Sequence, residues 1–250
     1  MEKGKVNFEV VLKEASSLPG IRIDRDDFLR KQLQKYCDDN VVQAAIETSP
    51  HNAGISLKLI EKIAKDCITY ETNKVSAISF ATGIPGGLTM IGTVPADIVQ
   101  YFGHVLRIVQ KLAYLYGWES LFASDGKMDD ETANLMTLFI GVMFGGNGAA
   151  GVLTKVAEKA SEKVYKTLVA KALTKGTVYP IVKKVAQILG IQMTKQIFAR
   201  TVSKAVPIIG GAASGGLTYA TYRPMASKLR KYFHQLEEAK EKKEQAEVNA

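Results

Sequence analysis

The chain has 250 residues, 46% apolar and 23% charged, which suffices for one or two folded domains and excludes disorder throughout. A mean hydropathy of −0.01 disfavours a polytopic membrane bundle, and two cysteines, Cys37 and Cys67, exclude a disulfide scaffold and suit reduced cytosolic thiols. The net charge of +8 is unevenly spread: residues 1–149 carry 15 basic and 18 acidic side chains, residues 150–235 carry 15 and 2, and residues 236–250 carry 3 and 5.

Phe8, Val11, Leu12 and Ala15 fall on one face of a helix expected over 7–17, which Leu18-Pro19-Gly20 stops. Asp24 is the expected N-cap of the next helix, with Asp26 and Asp27 at the positive end of its dipole. A short helix over 41–47 precedes Ser49-Pro50. Ser56 then opens a helix with Leu59, Ile60, Ile63, Ala64 and Cys67 inward, so Cys67 reads as a small core residue without a redox role.

The clearest helix is expected over 95–116, with Pro95 at its first position and Gly117 as its stop. At about 100° per residue, Asp97, Gln100, His104, Arg107 and Lys111 share a wedge of about 80°, and Ile98, Val99, Tyr101, Phe102, Val105, Leu106, Val109, Leu112 and Ala113 fill the other side. The wedge reads as a solvated face. The competing reading makes Asp97, His104 and Arg107 a polar site, with Asp97 at the helix N-terminus, where the dipole favours a carboxylate. About 10.5 Å of helical rise separates Asp97 from His104, too far for direct contact.

Asp129 or Asp130 is the expected cap of a helix over 132–144, and further helices are expected over 152–174, 178–189, 191–204 and 208–235. Residues 236–250 are a charged tail, helical or frayed. No segment sustains period-2 alternation. The expected class is therefore all-α: a compact multi-helix bundle with glycine-rich apolar helices and no sheet. Residues 1–235 read as a single domain whose layers part near 118–130.

Three stretches carry no charge, residues 75–96, 132–154 and 205–222, and together they hold 13 of the 21 glycines. Each contains a glycine pair four residues apart: Gly83/Gly87, Gly141/Gly145 and Gly211/Gly215. Such pairs let helices approach closely. The first two stretches reach the length of about 20 residues that a bilayer requires, but they are poor in residues that favour insertion. A packed helical core is the leading expectation for these glycines, with reversible membrane association next and stable spanning last.

On the helix over 152–174, Lys155, Lys159, Lys163 and Lys166 share a face, and Arg223, Lys228, Arg230 and Lys231 follow on the last helix. Each basic residue close to an anionic leaflet contributes roughly 1 kcal/mol. Nucleic acid is a weaker partner, since the basic half has twelve lysines, only three arginines and no recognisable binding motif. Residues 146–151 fit G-x-G-x-x-G, but no strand or βαβ frame surrounds them and no acid follows at the required distance. His51, His104 and His234 have no metal spacing, and the acidic run at 125–131 lacks the pattern of a calcium loop. No metal, cofactor or catalytic residue is assigned. The first residues mix acids and bases with no apolar run behind them, so no secretory leader is expected, nor myristoylation at Gly4 or a C-terminal prenylation box.

The order Ala81-Thr82-Gly83-Ile84-Pro85-Gly86-Gly87, then Pro95-Ala96-Asp97, then Leu112-Ala113-Tyr114-Leu115-Tyr116-Gly117, resembles the EcsC family of bacterial proteins. The segment from Lys204 to Gly211 resembles that family's second glycine-rich stretch, so the resemblance spans roughly residues 22–225. The family takes its name from a protein encoded beside an ABC transporter, and it has no agreed catalytic residues to carry over. The motif positions here are Gly83, Pro85, Gly86, Pro95, Asp97 and Gly117. The resemblance implies an α-helical, intracellular, membrane-peripheral protein.

The expectation is a non-enzymatic helical protein, cytoplasmic and peripheral at the inner membrane face, whose partner is an anionic membrane surface or a membrane protein complex. The competing readings are an enzyme or small-ligand binder using a cleft around Asp97, His104 and Arg107, and a soluble oligomeric scaffold.

Overall fold

Polar side chains cap three of the helices in the computed structural model, which describes residues 7–82, 90–91, 94–122, 128–145, 148–160, 180, 184, 186–187 and 207–248. The Asn7 side chain accepts from the Glu9 amide at 2.9 Å and opens α1 (Phe8–Ser16). Asp24 accepts from the Asp27 amide at 2.8 Å and opens α2 (Arg25–Leu33), as its position in the sequence predicts. Helices α3 (Asp39–Glu47) and α4 (Leu57–Thr82) follow. A short antiparallel ladder joins β1 (Met90–Ile91) to β2 (Val94–Pro95) and leads into α5 (Ala96–Leu115). Asp129 accepts from the Thr132 amide at 2.8 Å and opens α6 (Asp130–Phe144), and α7 (Ala149–Ala160) and α8 (Pro207–Val248) complete the described chain. Each side-chain cap satisfies an amide that the helix leaves unpaired, worth about 1 kcal/mol.

The class is all-α, as the helical periodicity predicts, and the two-residue ladder is the sole strand pairing among the described residues. Pro95 belongs to that ladder, so α5 starts one residue later than expected. Gly117, at φ +81°, ends α5 as expected. The helix expected over 191–204 and the part of 152–174 beyond 160 lie outside the described residues. Of 178–189 only 180, 184, 186 and 187 are described, and all four are helical.

Helix α5 is the centre of the molecule. It packs against α1, α2, α4, α6 and α8, and from Tyr101 to Tyr116 every residue except Arg107 is buried. A helix covered on all sides needs apolar residues all round or polar ones with partners. The apolar part is met by ring contacts: Phe102 meets Phe8 edge-on at 5.9 Å and stacks on Phe144 at 6.1 Å. Beyond Gly117, Trp118 meets Phe139 of α6 at 4.9 Å and Phe233 of α8 at 5.9 Å. Rings of this size dominate core energetics, and each fully buried large side chain contributes about 1.5–3 kcal/mol.

Helix α8 lies along α4 and also touches α5 and α6. It continues through the region expected as a charged tail, with Leu236 and Glu237 still buried and Glu241 3.3 Å from His51. Neither long uncharged stretch forms a continuous helix. The described residues of 75–96 divide among the end of α4, the ladder and the first residue of α5, and those of 132–154 fall in α6, the turn after it and α7. The break after α6 falls at Gly145, a left-handed C-cap at φ +73°. Gly141 and Gly145 therefore do not form a continuous helical crossing pair. α6 has 15 residues against the roughly 20 a span needs, and no helix among the described residues is long and apolar enough to cross a membrane.

Candidate functional site

Along α4 the buried stripe runs Ile60, Ile63, Ala64, Cys67 and Ile68, and helical spacing carries it on to Glu71, Thr72 and Val75. A carboxylate thus lands where the pattern calls for an apolar side chain. Glu71 has no exposed surface, and α5 supplies its partners. Lys111 Nζ donates to Glu71 Oε1 at 2.7 Å, Arg107 Nε donates to the same oxygen at 3.2 Å, and His104 Nδ1 lies 3.2 Å from Oε2. The three partners recur at helical spacing on α5 and are 11%, 19% and 6% exposed, in the order Lys111, Arg107, His104.

Burial alone would raise the Glu71 carboxyl, but the bonds from His104 and Lys111 and the charge of Arg107 outweigh it and hold the group near 2. The carboxylate is therefore ionised at neutral pH, and His104 must carry its proton on Nδ1 to donate to it. Arg107 also donates from its terminal nitrogen to the Gly20 carbonyl, which ties the α1–α2 turn to the cluster. From α8, the Tyr222 hydroxyl donates to the His104 carbonyl at 2.9 Å, and burial pushes that phenol well above its ordinary range. Burial also raises the neighbouring Cys67 thiol to about 11, which keeps it protonated and unreactive, in keeping with a core role.

This geometry corrects the solvated-wedge reading. His104 and Lys111 are buried and Arg107 is half-buried, because α5 is central and α4 provides a countercharge. Gln110 is fully buried as well: its Nε2 donates to the Ile21 and Leu106 carbonyls, each at 2.9 Å, and its Oε1 accepts from the Ile23 amide at 2.9 Å. His104 and Arg107 do converge, but on Glu71. Asp97 is the second residue of α5, and its side chain lies outside the described set. So do the side chain of Pro95, all of Gly83, Pro85 and Gly86, the side chain of Lys159, and all of Lys163 and Lys166. Chemically, the cluster is an ion network that fastens α5 to α4. Among the described residues no group of three or more His, Cys, Asp or Glu could hold a metal.

The basic residues on α8 divide into two kinds. Arg230 is 7% exposed and bonded to Glu61 of α4, so it belongs to the interior and leaves the set of surface contacts. Arg223, Lys228 and Lys231 are exposed, on the same face as Gly216, Tyr219, Ala220 and Pro224. Arg223 donates to the Tyr219 hydroxyl at 3.2 Å, and that ring is 41% exposed. Lys228 lies beside Gly145 at the C-terminal end of α6, and Lys155 is exposed on α7. From 207 to 236 the sequence of α8 contains no acid. Among the described residues, Arg223, Lys228 and Lys231 meet no carboxylate within ion-pair distance. Comparison with protein-family models, with curated proteins and with solved structures gives no match.

Proposed function

We propose that the protein associates peripherally with an anionic membrane surface through the exposed face of α8, assisted by Lys155 of α7. The observation that carries this reading is a helix face with three cations, an exposed tyrosine and no acid from 207 to 236. In an ordinary solvated surface, charges of both signs alternate. Here a single sign persists, although the N-terminal part of the chain is net acidic. With about 1 kcal/mol per basic residue at an anionic leaflet, the four side chains supply about 4 kcal/mol, enough for reversible docking that salt weakens. The resemblance to the EcsC family directs the proposal to the cytoplasmic leaflet of a bacterial membrane, or to a membrane complex there. The competing ligand site around Asp97, His104 and Arg107 has less support, because Glu71 already engages His104 Nδ1 and Arg107 Nε.

The test is cosedimentation with phosphatidylcholine vesicles, with and without phosphatidylserine, at low and high salt. The wild-type protein is expected to bind only the anionic vesicles and to be released by salt. The variant Arg223→Glu/Lys228→Glu/Lys231→Glu forfeits at least about 3 kcal/mol, more than a hundredfold in affinity, while a cooperative thermal melt shows that it is still folded. Equal binding to neutral vesicles, or unaltered binding by a folded triple variant, refutes the proposal.

A further inference from the structure

The exposed face of α8 changes character along its length. The first 16 residues of the helix, from Pro207 to Tyr222, contain no charged side chain. The cations Arg223, Lys228 and Lys231 come next, and from Glu237 to Glu247 the helix carries five acids among three lysines. Among the described side chains of the uncharged section, the exposed ones are Gly216, Tyr219 and Ala220. At about 100° per residue Glu238 and Glu241 fall on the face that carries Arg223 and Lys231, so a helix that lay flat on an anionic leaflet would bring these two acids down with its cations. Like charges at that surface repel, so each acid would offset part of what a lysine contributes.

We infer that α8 meets the membrane obliquely, N-terminal end down. The strip around Tyr219 and Ala220 enters the interface, Arg223, Lys228 and Lys231 form a collar at the phosphate level, and the acidic end projects into water. Tyrosine suits the lower position, since its ring is apolar and its hydroxyl polar, and such rings concentrate at the boundary between lipid and water. The collar suits long basic side chains, whose stems lie along apolar surface while their charges reach the phosphates. The body of the protein sets the orientation. α8 is fixed to it by Tyr222 on the His104 carbonyl and by Arg230 on Glu61, so the helix tilts only together with the whole molecule. The inference rests on the membrane reading above and adds which end of the helix meets lipid.

Ala220 and Glu238 test it, because they are 18 residues apart, five full turns, on one line along the helix and separated by about 27 Å. Each is replaced singly by cysteine in the full chain, with Cys37→Ser to remove the more accessible thiol, and labelled with an environment-sensitive fluorophore. Both proteins are mixed with phosphatidylserine vesicles whose acyl chains carry a nitroxide quencher, and cosedimentation of the same samples measures the bound fraction. The expected result is strong quenching of the label at 220 and none at 238, where the label stays open to aqueous iodide. Equal quenching at both sites means a flat helix and overturns the inference, as does bound protein with no quenching at 220. If neither protein sediments with the vesicles, it is the membrane reading itself that fails, and the bound fraction identifies that case separately.

Discussion

Replacing Glu71 with glutamine tests whether the ion network holds the helical core together. Glutamine keeps the shape and an acceptor but removes the charge, which leaves Arg107 and Lys111 facing each other across a site with no exposed surface on residue 71. The lowering of the carboxyl from 4.5 to about 2 corresponds, at about 1.4 kcal/mol per pH unit, to about 3 kcal/mol of native-state stability at neutral pH. Loss of one partner from a buried pair gives a similar figure, about 3–5 kcal/mol. Because the folded value lies below the unfolded one, this stability is complete above about pH 4.5 and disappears as pH falls towards 2. Urea unfolding of both proteins across that window should therefore show a gap of about 3 kcal/mol at pH 7 that closes towards pH 2, since glutamine imitates the protonated acid. Lys111→Met should cost less, about 1–3 kcal/mol, because Glu71 keeps Arg107 and His104, although the contacts of the ammonium with the faces of Tyr70 and Phe28 are lost. A loss below about 1 kcal/mol for Glu71→Gln, or one that does not vary between pH 7 and pH 3, would refute the assignment of a stabilising network.

Gln110→Leu should destabilise by about 2–4 kcal/mol in the same urea assay, since it strands the Ile23 amide and the Ile21 carbonyl in the interior; a loss under about 1 kcal/mol would mean that water reaches both. Gly117→Ala should cost about 1–2 kcal/mol, because φ is +81° and a Cβ would stand 3.2 Å from that of Ser49. An unchanged melting temperature would show that the turn after α5 adapts freely.

The helices were legible because their signals are local. Asp24 and Asp129 cap where a short acid precedes an acidic first turn, and Gly117 and the α5 periodicity mark an end and a face within one segment. The ion network was half legible. The α5 wedge displayed His104, Arg107 and Lys111 together, yet nothing within α5 says whether that wedge meets water or another helix. The missing signal lay 33 residues earlier, in an acid four positions after Cys67 on an otherwise apolar stripe. An acid on one buried stripe and three basic groups on one helix wedge are complementary only when both are considered together. Arg25 illustrates the limit further. Its guanidinium bonds the carbonyls of Ile46, Thr48 and Trp118, and backbone acceptors leave no trace in residue identity.

Arg230 and Lys231 bring the same limit to the proposed membrane face, because as neighbours in a basic run they look alike in sequence. On a helix, successive side chains point about 100° apart, so one can face the core while the next faces out. Arg230 turns inward to Glu61, and Lys231 turns outward beside Arg223 and Lys228. The two positions should therefore fail in different assays. Arg230→Met removes the inward partner of Glu61 while Lys65, at 3.1 Å, remains, so a loss of about 1–3 kcal/mol in urea unfolding is expected, with vesicle affinity unchanged below the melt. Lys231→Glu should leave unfolding within about 0.5 kcal/mol of wild type, as surface substitutions do, and weaken binding to phosphatidylserine vesicles about tenfold. If Arg230→Met weakens vesicle binding as much as Lys231→Glu does, the interior and surface roles have been wrongly divided. A membrane face built from net charge alone would then explain the data better than one built from the exposed side of α8.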